Sequence, residues 1–173
     1  MLQQAQPVVL IGLMGSGKST IGHRLAQSLD WAFCDTDKEI ERSTGADIPW
    51  IFEKEGEAGF RKREHQALAE ALERPDQILS TGGGVVELPE NRDLLQKAAA
   101  QVIYLYAPPG ALYRRVGNDP NRPLVAQGNA RETLQRLFDR RDPWYREVAD
   151  LVISTHRSNP REVVEKIQSN LRS

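Results

Sequence analysis

The stretch Gly12-Leu13-Met14-Gly15-Ser16-Gly17-Lys18-Ser19 constrains this 173-residue chain more than any other. It has the G-x-x-x-x-G-K-S spacing of a loop that cradles phosphates. Glycines are required because the loop wraps closely around phosphate oxygens with its backbone N–H groups pointing inward. The surroundings agree. Val8-Val9-Leu10-Ile11 is a short apolar run, the profile of a strand buried on both faces, and Ile21, Leu25 and Leu29 mark one face of a following helix. That helix N-terminus adds partial positive charge at the phosphates. In this setting Lys18 is expected to reach the β- and γ-phosphates and the Ser19 hydroxyl to bind Mg²⁺. The pattern is specific for a nucleoside triphosphate and silent on what receives the phosphate.

The remaining chain alternates strand and helix. Trp31-Ala32-Phe33-Cys34 reads as a second strand ending at Asp35-Thr36-Asp37. Asp47 can cap a short helix bearing Ile48, Ile51 and Phe52 and stopped by Gly56. A longer helix with Phe60, Glu64, Ala67, Leu68, Ala71 and Leu72 in register ends near Pro75. Ile78-Leu79-Ser80 is a third strand, Pro89 opens a helix, and Val102 to Tyr106 is a fourth strand. A helix over Ala111 to Val116 leads into a polar stretch from Gly117 to Gly128, expected to be an exposed, mobile loop. Leu134, Leu137 and Phe138 mark a helix whose end is expected in the run Arg140-Arg141-Asp142-Pro143-Trp144-Tyr145. Leu151-Val152-Ile153 is a fifth strand, and Asn159-Pro160 caps and opens a last helix. Such alternation predicts an α/β fold with a parallel sheet covered by helices on both faces and ligands at the carboxyl ends of the strands. With no repeat, linker or low-complexity tract, the reading is one domain over residues 1–173.

Composition excludes several function classes. A net charge of -1 lacks the basic excess of a general nucleic-acid or membrane-surface binder. The single cysteine, Cys34, gives neither a disulfide framework nor a multi-thiolate metal site. His23, His65 and His156 have no ligand spacing. The first residues lack the basic start and apolar run of a signal peptide, and no stretch nears the roughly 20 apolar residues that cross a bilayer. A cytoplasmic protein is the expectation. An Asn-Lys-x-Asp motif and an Asp-x-x-Gly after the third strand are both missing, which argues against a GTP-driven switch.

Candidate acceptor residues cluster at expected strand ends. In Asp35-Thr36-Asp37 one carboxylate can face Mg²⁺ through water while the other faces a substrate hydroxyl, although the same residues would also make a helix N-cap. Arg61 opens the long helix with the planar guanidinium best suited to a two-point carboxylate grip. Gly82-Gly83-Gly84 would let a ligand lie against bare backbone. Arg122, in the mobile loop, is where a lid would supply charge after closing. The features together describe ATP on one side and a small anionic alcohol on the other.

At this point the chain resembles the shikimate kinases over nearly its whole length. The resemblance rests on Gly12 to Thr20, Phe33 to Asp37, Ile51-Phe52 with Gly56-Glu57, Phe60-Arg61 with Glu64, Gly82 to Gly84, Arg122-Pro123-Leu124, and Arg141 with Pro143 and Tyr145. It implies transfer of the ATP γ-phosphoryl group to the 3-hydroxyl of shikimate, on the route to chorismate and aromatic amino acids. It also implies an adenylate-kinase-like three-layer P-loop kinase fold with sheet order 2-3-1-4-5, a short lid at about 117–129, and shikimate-binding helices at about 38–73. By position, the resemblance gives Asp37 to the shikimate hydroxyls and, with Lys18 and Arg122, to catalysis. It gives Arg61, Arg141 and Gly82, Gly83 and Gly84 to the acceptor pocket. The ATP set is Gly15, Ser16, Gly17, Lys18, Ser19, Thr20, Arg115, Arg122 and Ser158. Mg²⁺ falls to Ser19, with Asp35 through water. The implied partners are ATP and shikimate, with no nucleic acid or membrane, and a monomer by default. Rival readings are a gluconate or nucleoside-monophosphate kinase, which would share the loop but not the acceptor set, and a non-catalytic ATP-binding module.

Overall fold

In the computed structural model, which describes residues 3–116 and 129–171, strands and helices alternate along the chain. The strands are β1 (Val8–Ile11), β2 (Ala32–Asp35), β3 (Gln77–Ser80), β4 (Gln101–Tyr106) and β5 (Leu151–Ser154). The helices are α1 (Lys18–Leu29), α2 (Thr36–Thr44), α3 (Ile48–Leu72), α4 (Pro89–Lys97), α5 (Pro109–Val116), α6 (Ala130–Val148) and α7 (Pro160–Ser169). The sheet order is β2-β3-β1-β4-β5 and every pairing is parallel, with Val9 of β1 level with Leu79 and Val102.

Alternation within the strands builds two cores. Val9, Ile11, Leu79, Val102 and Tyr104 point to one face, where Leu68 of α3, Leu95 of α4, and Leu134 and Tyr145 of α6 cover them. Val8, Leu10, Ile78, Ile103 and Leu105 point to the other, against Ile21 and Leu25 of α1 and Val163, Val164 and Ile167 of α7. Each such side chain contributes about 2 kcal/mol by leaving water. The central strand β1 is buried throughout, as a strand sandwiched between helix layers must be. This is the three-layer arrangement that the alternating pattern predicts.

Local chemistry sets the element ends. Asp47 Oδ1 accepts from the Trp50 N–H at 2.9 Å and caps α3. Gly56 (φ 72°, ψ 179°) breaks that helix in the middle, so the expected short helix and its longer successor run into each other across a kink. Ile40, Ile51 and Phe60 form a small separate core that locks α2 against α3 and fixes the neighbouring Arg61. Asn159 and Glu162 make a reciprocal capping box at α7.

One expectation is corrected. The helix expected to end over Arg140 to Tyr145 continues to Val148 as α6, with Pro143 inside it. Proline forfeits one backbone hydrogen bond, but Tyr145 and Val148 beyond it are both buried in the core, and that packing outweighs the loss. Arg141 is therefore an inward-facing mid-helix residue. The acidic segment closes the second strand and caps a helix, as the sequence suggests. Asp35 ends β2, while Thr36 and Asp37 already form the first turn of α2. The expected lid and its Arg122 fall on residues 117–128, outside the described residues. Among those described, no helix is long and apolar enough to cross a membrane.

Candidate functional site

The carboxyl ends of β1, β2, β3 and β5 open onto a cleft of about 790 Å³. Its walls are the loop from Met14 to Lys18, the start of α1, Asp35 and Asp37, the segment from Ser80 to Gly83, and Arg115, Thr155, Ser158 and Pro160.

On one side lies the glycine loop. Gly15 has φ +82°, and a Cβ there would meet Val116 Cγ1 at 2.7 Å, so only glycine fits. Lys18 Nζ donates to the carbonyls of Gly12 (2.6 Å) and Leu13 (3.0 Å), so the ammonium is held across the loop it serves. Ser16 is buried, and Ser19 and Thr20 stand exposed on the first turn of α1, all three lining the cleft. Arg115 donates from Nη1 to the Gly15 carbonyl at 2.8 Å and to Thr155 Oγ1 at 3.2 Å, and from Nη2 to the Thr155 carbonyl at 3.0 Å. It ties the loop to the end of β5. Ser158 lines the same wall.

On the other side the three glycines after β3 are each faced by a charged side chain. A Cβ on Gly82 would lie 2.9 Å from Asp37 Oδ1 and 3.2 Å from Glu64 Oε2. One on Gly83 would lie 3.4 Å from Arg141 Nη1, and one on Gly84 would collide with the Arg61 guanidinium. The triple glycine therefore makes room first for the site's own side chains, a tighter constraint than backbone access for a ligand. Arg61 donates from Nη1 to Glu64 Oε1 at 2.9 Å and from Nη2 to Glu57 Oε1 at 3.4 Å. Arg61, Glu64 and Arg141 are all buried, at 8%, 1% and 5% exposure. The Tyr145 hydroxyl donates to the Gly83 carbonyl and fixes the middle of the turn from behind.

These ions are incompletely paired. Among the described residues, Thr36 Oγ1, Asp37 Oδ1, Arg61 Nε and Glu64 Oε2 are buried without a hydrogen-bond partner. Burial pushes the Asp37 carboxyl up to about 6, helped by Asp35 and opposed by Lys18 and Arg61. Burial likewise pushes Glu64 up to about 7, against the pull of Arg61. Orphaned buried polar atoms carry a desolvation cost that a polar ligand can recover.

Asp35 does two things. Its Oδ1 accepts from the N–H groups of Asp37 (2.9 Å) and Lys38 (3.3 Å), which makes it the N-cap of α2, and it also lines the cleft within the same wall as Ser19. No cluster of three or more His, Cys, Asp or Glu able to hold a metal exists among the described residues. A hydroxyl and one carboxylate beside a phosphate site suit Mg²⁺, which takes few protein ligands and relies on substrate phosphates and water.

The geometry brings together Gly15 to Thr20, Asp35, Asp37, Gly82 to Gly84, Arg61, Arg115, Arg141 and Ser158, leaving Arg122 outside the described residues. Sequence reasoning assigned no role to Glu64, Tyr145, Thr155 or Glu87. Glu64 could have been found, since it lies one turn from Arg61 in the same helix. Thr155 and Glu87 carry no such local signal.

Comparison with known proteins agrees with the geometry. The sequence model of the shikimate kinase family matches residues 14–172. A shikimate kinase from Marinomonas sp. (strain MWYL1) is 51% identical over 166 residues, covering 95% of this chain and 91% of its own. The structure of shikimate kinase from Acinetobacter baumannii in complex with shikimate superimposes with a TM-score of 0.90 at 45% identity, over 95% of this chain and 92% of that one. A gluconokinase from Sinorhizobium meliloti 1021 shares the fold alone, with a TM-score of 0.61 at 15% identity over 96% of this chain and 91% of that one.

Proposed function

The chain belongs to the shikimate kinase family, and from that premise we propose how its residues divide the reaction. It is an ATP-dependent kinase that transfers the γ-phosphoryl group of ATP to the 3-hydroxyl of shikimate, giving shikimate 3-phosphate and ADP on the route to chorismate. The reaction uses ATP with a divalent metal. We read 1–173 as one P-loop kinase domain working in the cytoplasm as a monomer.

The loop from Gly15 to Thr20 holds the phosphates with backbone N–H groups and Lys18, while Arg115 and Ser158 border the nucleotide's far end. Ser19, with Asp35 through water, would hold Mg²⁺, which supplies charge neutralisation at the β- and γ-phosphates. Arg61 and Arg141 grip the shikimate carboxylate, and the backbone at Gly82, Gly83 and Gly84 closes the acceptor pocket. Asp37 orients the attacking hydroxyl and takes its proton at Oδ2 or the unpartnered Oδ1. A carboxyl raised to about 6 is ionised at neutral pH yet still holds a proton better than an ordinary aspartate. Phosphoryl transfer asks for alignment and charge neutralisation more than for a strong base, so these placements are sufficient. Arg122 is assigned to the phosphates from the sequence alone.

The observation that carries this reading is the ordered facing of Asp37, Arg141 and Arg61 onto three successive glycines beside the phosphate loop. Asp37→Asn is expected to lower kcat about a thousandfold while leaving the shikimate KM within a few-fold. Near-normal turnover in that variant would remove Asp37 from the chemistry.

A further inference from the structure

An arginine reaching into a pocket on a long, flexible stem loses rotamer freedom when it meets its ligand, unless something else already holds it. Arg141 is held. Its Nε donates to Glu87 Oε1 at 3.0 Å, in a pair whose side chains are only 6% and 11% exposed. Its Nη1 stands on the opposite side, against Gly83 at the cleft. Glu87 is itself braced. Its carboxylate receives Arg140 Nε on both oxygens, at 3.1 and 2.9 Å. Its N–H donates to the Gly84 carbonyl at 3.0 Å. Arg92 Nη1 donates to the carbonyls of Val86 (2.6 Å) and Glu87 (3.3 Å). The guanidinium groups of Arg92 and Arg140 lie over the Trp144 ring, 4.5 and 5.1 Å from its centre. Burial pushes the Glu87 carboxyl up, but the hydrogen bonds from Arg141 and Arg140 outweigh it and hold the group below the ordinary glutamate range.

We propose that Glu87 is a positioning residue for the phosphoryl acceptor: by binding the Nε edge of Arg141 it keeps the other edge of the guanidinium turned to Gly83, ready for the acceptor carboxylate. The inference rests on the reading of Arg141 as part of the carboxylate grip. Two features favour positioning over competition with the substrate. Glu87 engages Nε and not the Nη pair, and Arg140 already binds both of its oxygens. Glu87 is not among the residues that line the cleft.

The test is steady-state kinetics on the full chain with shikimate and with an analogue bearing hydroxymethyl in place of the carboxylate. Glu87→Ala is expected to raise the shikimate KM about tenfold, leaving kcat and the ATP KM within about twofold, because of the two arginines it releases only Arg141 faces Gly83, while Arg140 is exposed. The analogue's KM should not respond, which a merely structural defect would not achieve. If Glu87→Ala does not fold, as read from thermal unfolding, Glu87→Gln decides with an expected rise of about threefold, since it keeps an acceptor oxygen without the charge. A fall in the shikimate KM would make Glu87 a competitor and overturn the proposal. An unchanged KM alongside a strong rise in Arg141→Ala would overturn it while leaving the Arg141 assignment intact. Wild-type protein that uses the analogue as well as shikimate would instead sink the carboxylate grip itself.

Discussion

In the proposed reading, the two sides of the site, one for the nucleotide and one for the acceptor, are built by opposite means. The nucleotide wall is backbone: a glycine loop whose shape is fixed by positive φ and whose lysine is bonded to the loop's own carbonyls. The acceptor side is side chains, with Arg61, Glu64 and Arg141 buried and Asp37 Oδ1, Arg61 Nε and Glu64 Oε2 without hydrogen-bond partners. A backbone cradle recognises what all phosphate chains share. Selecting one small acid among many requires groups that differ from protein to protein, and these pay the desolvation cost of buried charge. On this reading, selection of the acceptor belongs to the second side.

The contrast predicts that substitutions on the two walls separate kinetically. Arg61→Ala should produce the larger effect, raising the shikimate KM about a hundredfold with the ATP KM nearly unchanged, because it removes one of the two guanidinium groups assigned to the acceptor carboxylate. Kinetics with each substrate varied in turn checks this, and an equal rise in both KM values would erase the division. Gly15→Ala should do the reverse more mildly, raising the ATP KM about tenfold through the left-handed φ and the clash with Val116. A shikimate-specific defect there would break the comparison from the other side.

The smallest effect concerns stability. Glu64 is raised to about 7 in the folded protein, from the 4.5 of an unburied glutamate. Between those values the folded state holds more protons than the unfolded one, so stability falls as pH rises through that window. Asp37, raised to about 6, adds to the same trend. The ligand-free protein should therefore melt about 5 °C higher at pH 5 than at pH 7.5, and Glu64→Gln should flatten much of that slope. Calorimetry at the two pH values reads it, and a slope unaltered in the variant would mean that Glu64 is not the buried proton site.

The same contrast explains what could be read from the sequence. The glycine loop is contiguous, so its local spacing announced both the motif and the flanking strand and helix. Gly56, Asp47 and Asn159-Pro160 also act on their immediate neighbours and were legible. The acceptor wall is assembled from residues 37, 61, 64, 83, 87 and 141, which meet only after the sheet order brings β2 and β3 beside β1. Asp37, Arg61 and Gly83 were suggested by their chemistry and given their roles by family resemblance, Arg141 by resemblance alone, and Glu64 and Glu87 received no role. The end of α6 was placed too early for a related reason: the burial of Tyr145 and Val148, a long-range effect, carries the helix on to Val148.

The central claim is that the acceptor wall, and not the phosphate loop, decides what is phosphorylated. Release of ADP from ATP with shikimate, gluconate and AMP as alternative acceptors tests it most directly. The account predicts rapid release with shikimate and only background release with the other two. Comparable turnover of gluconate or AMP, or ADP release indifferent to shikimate, would contradict it.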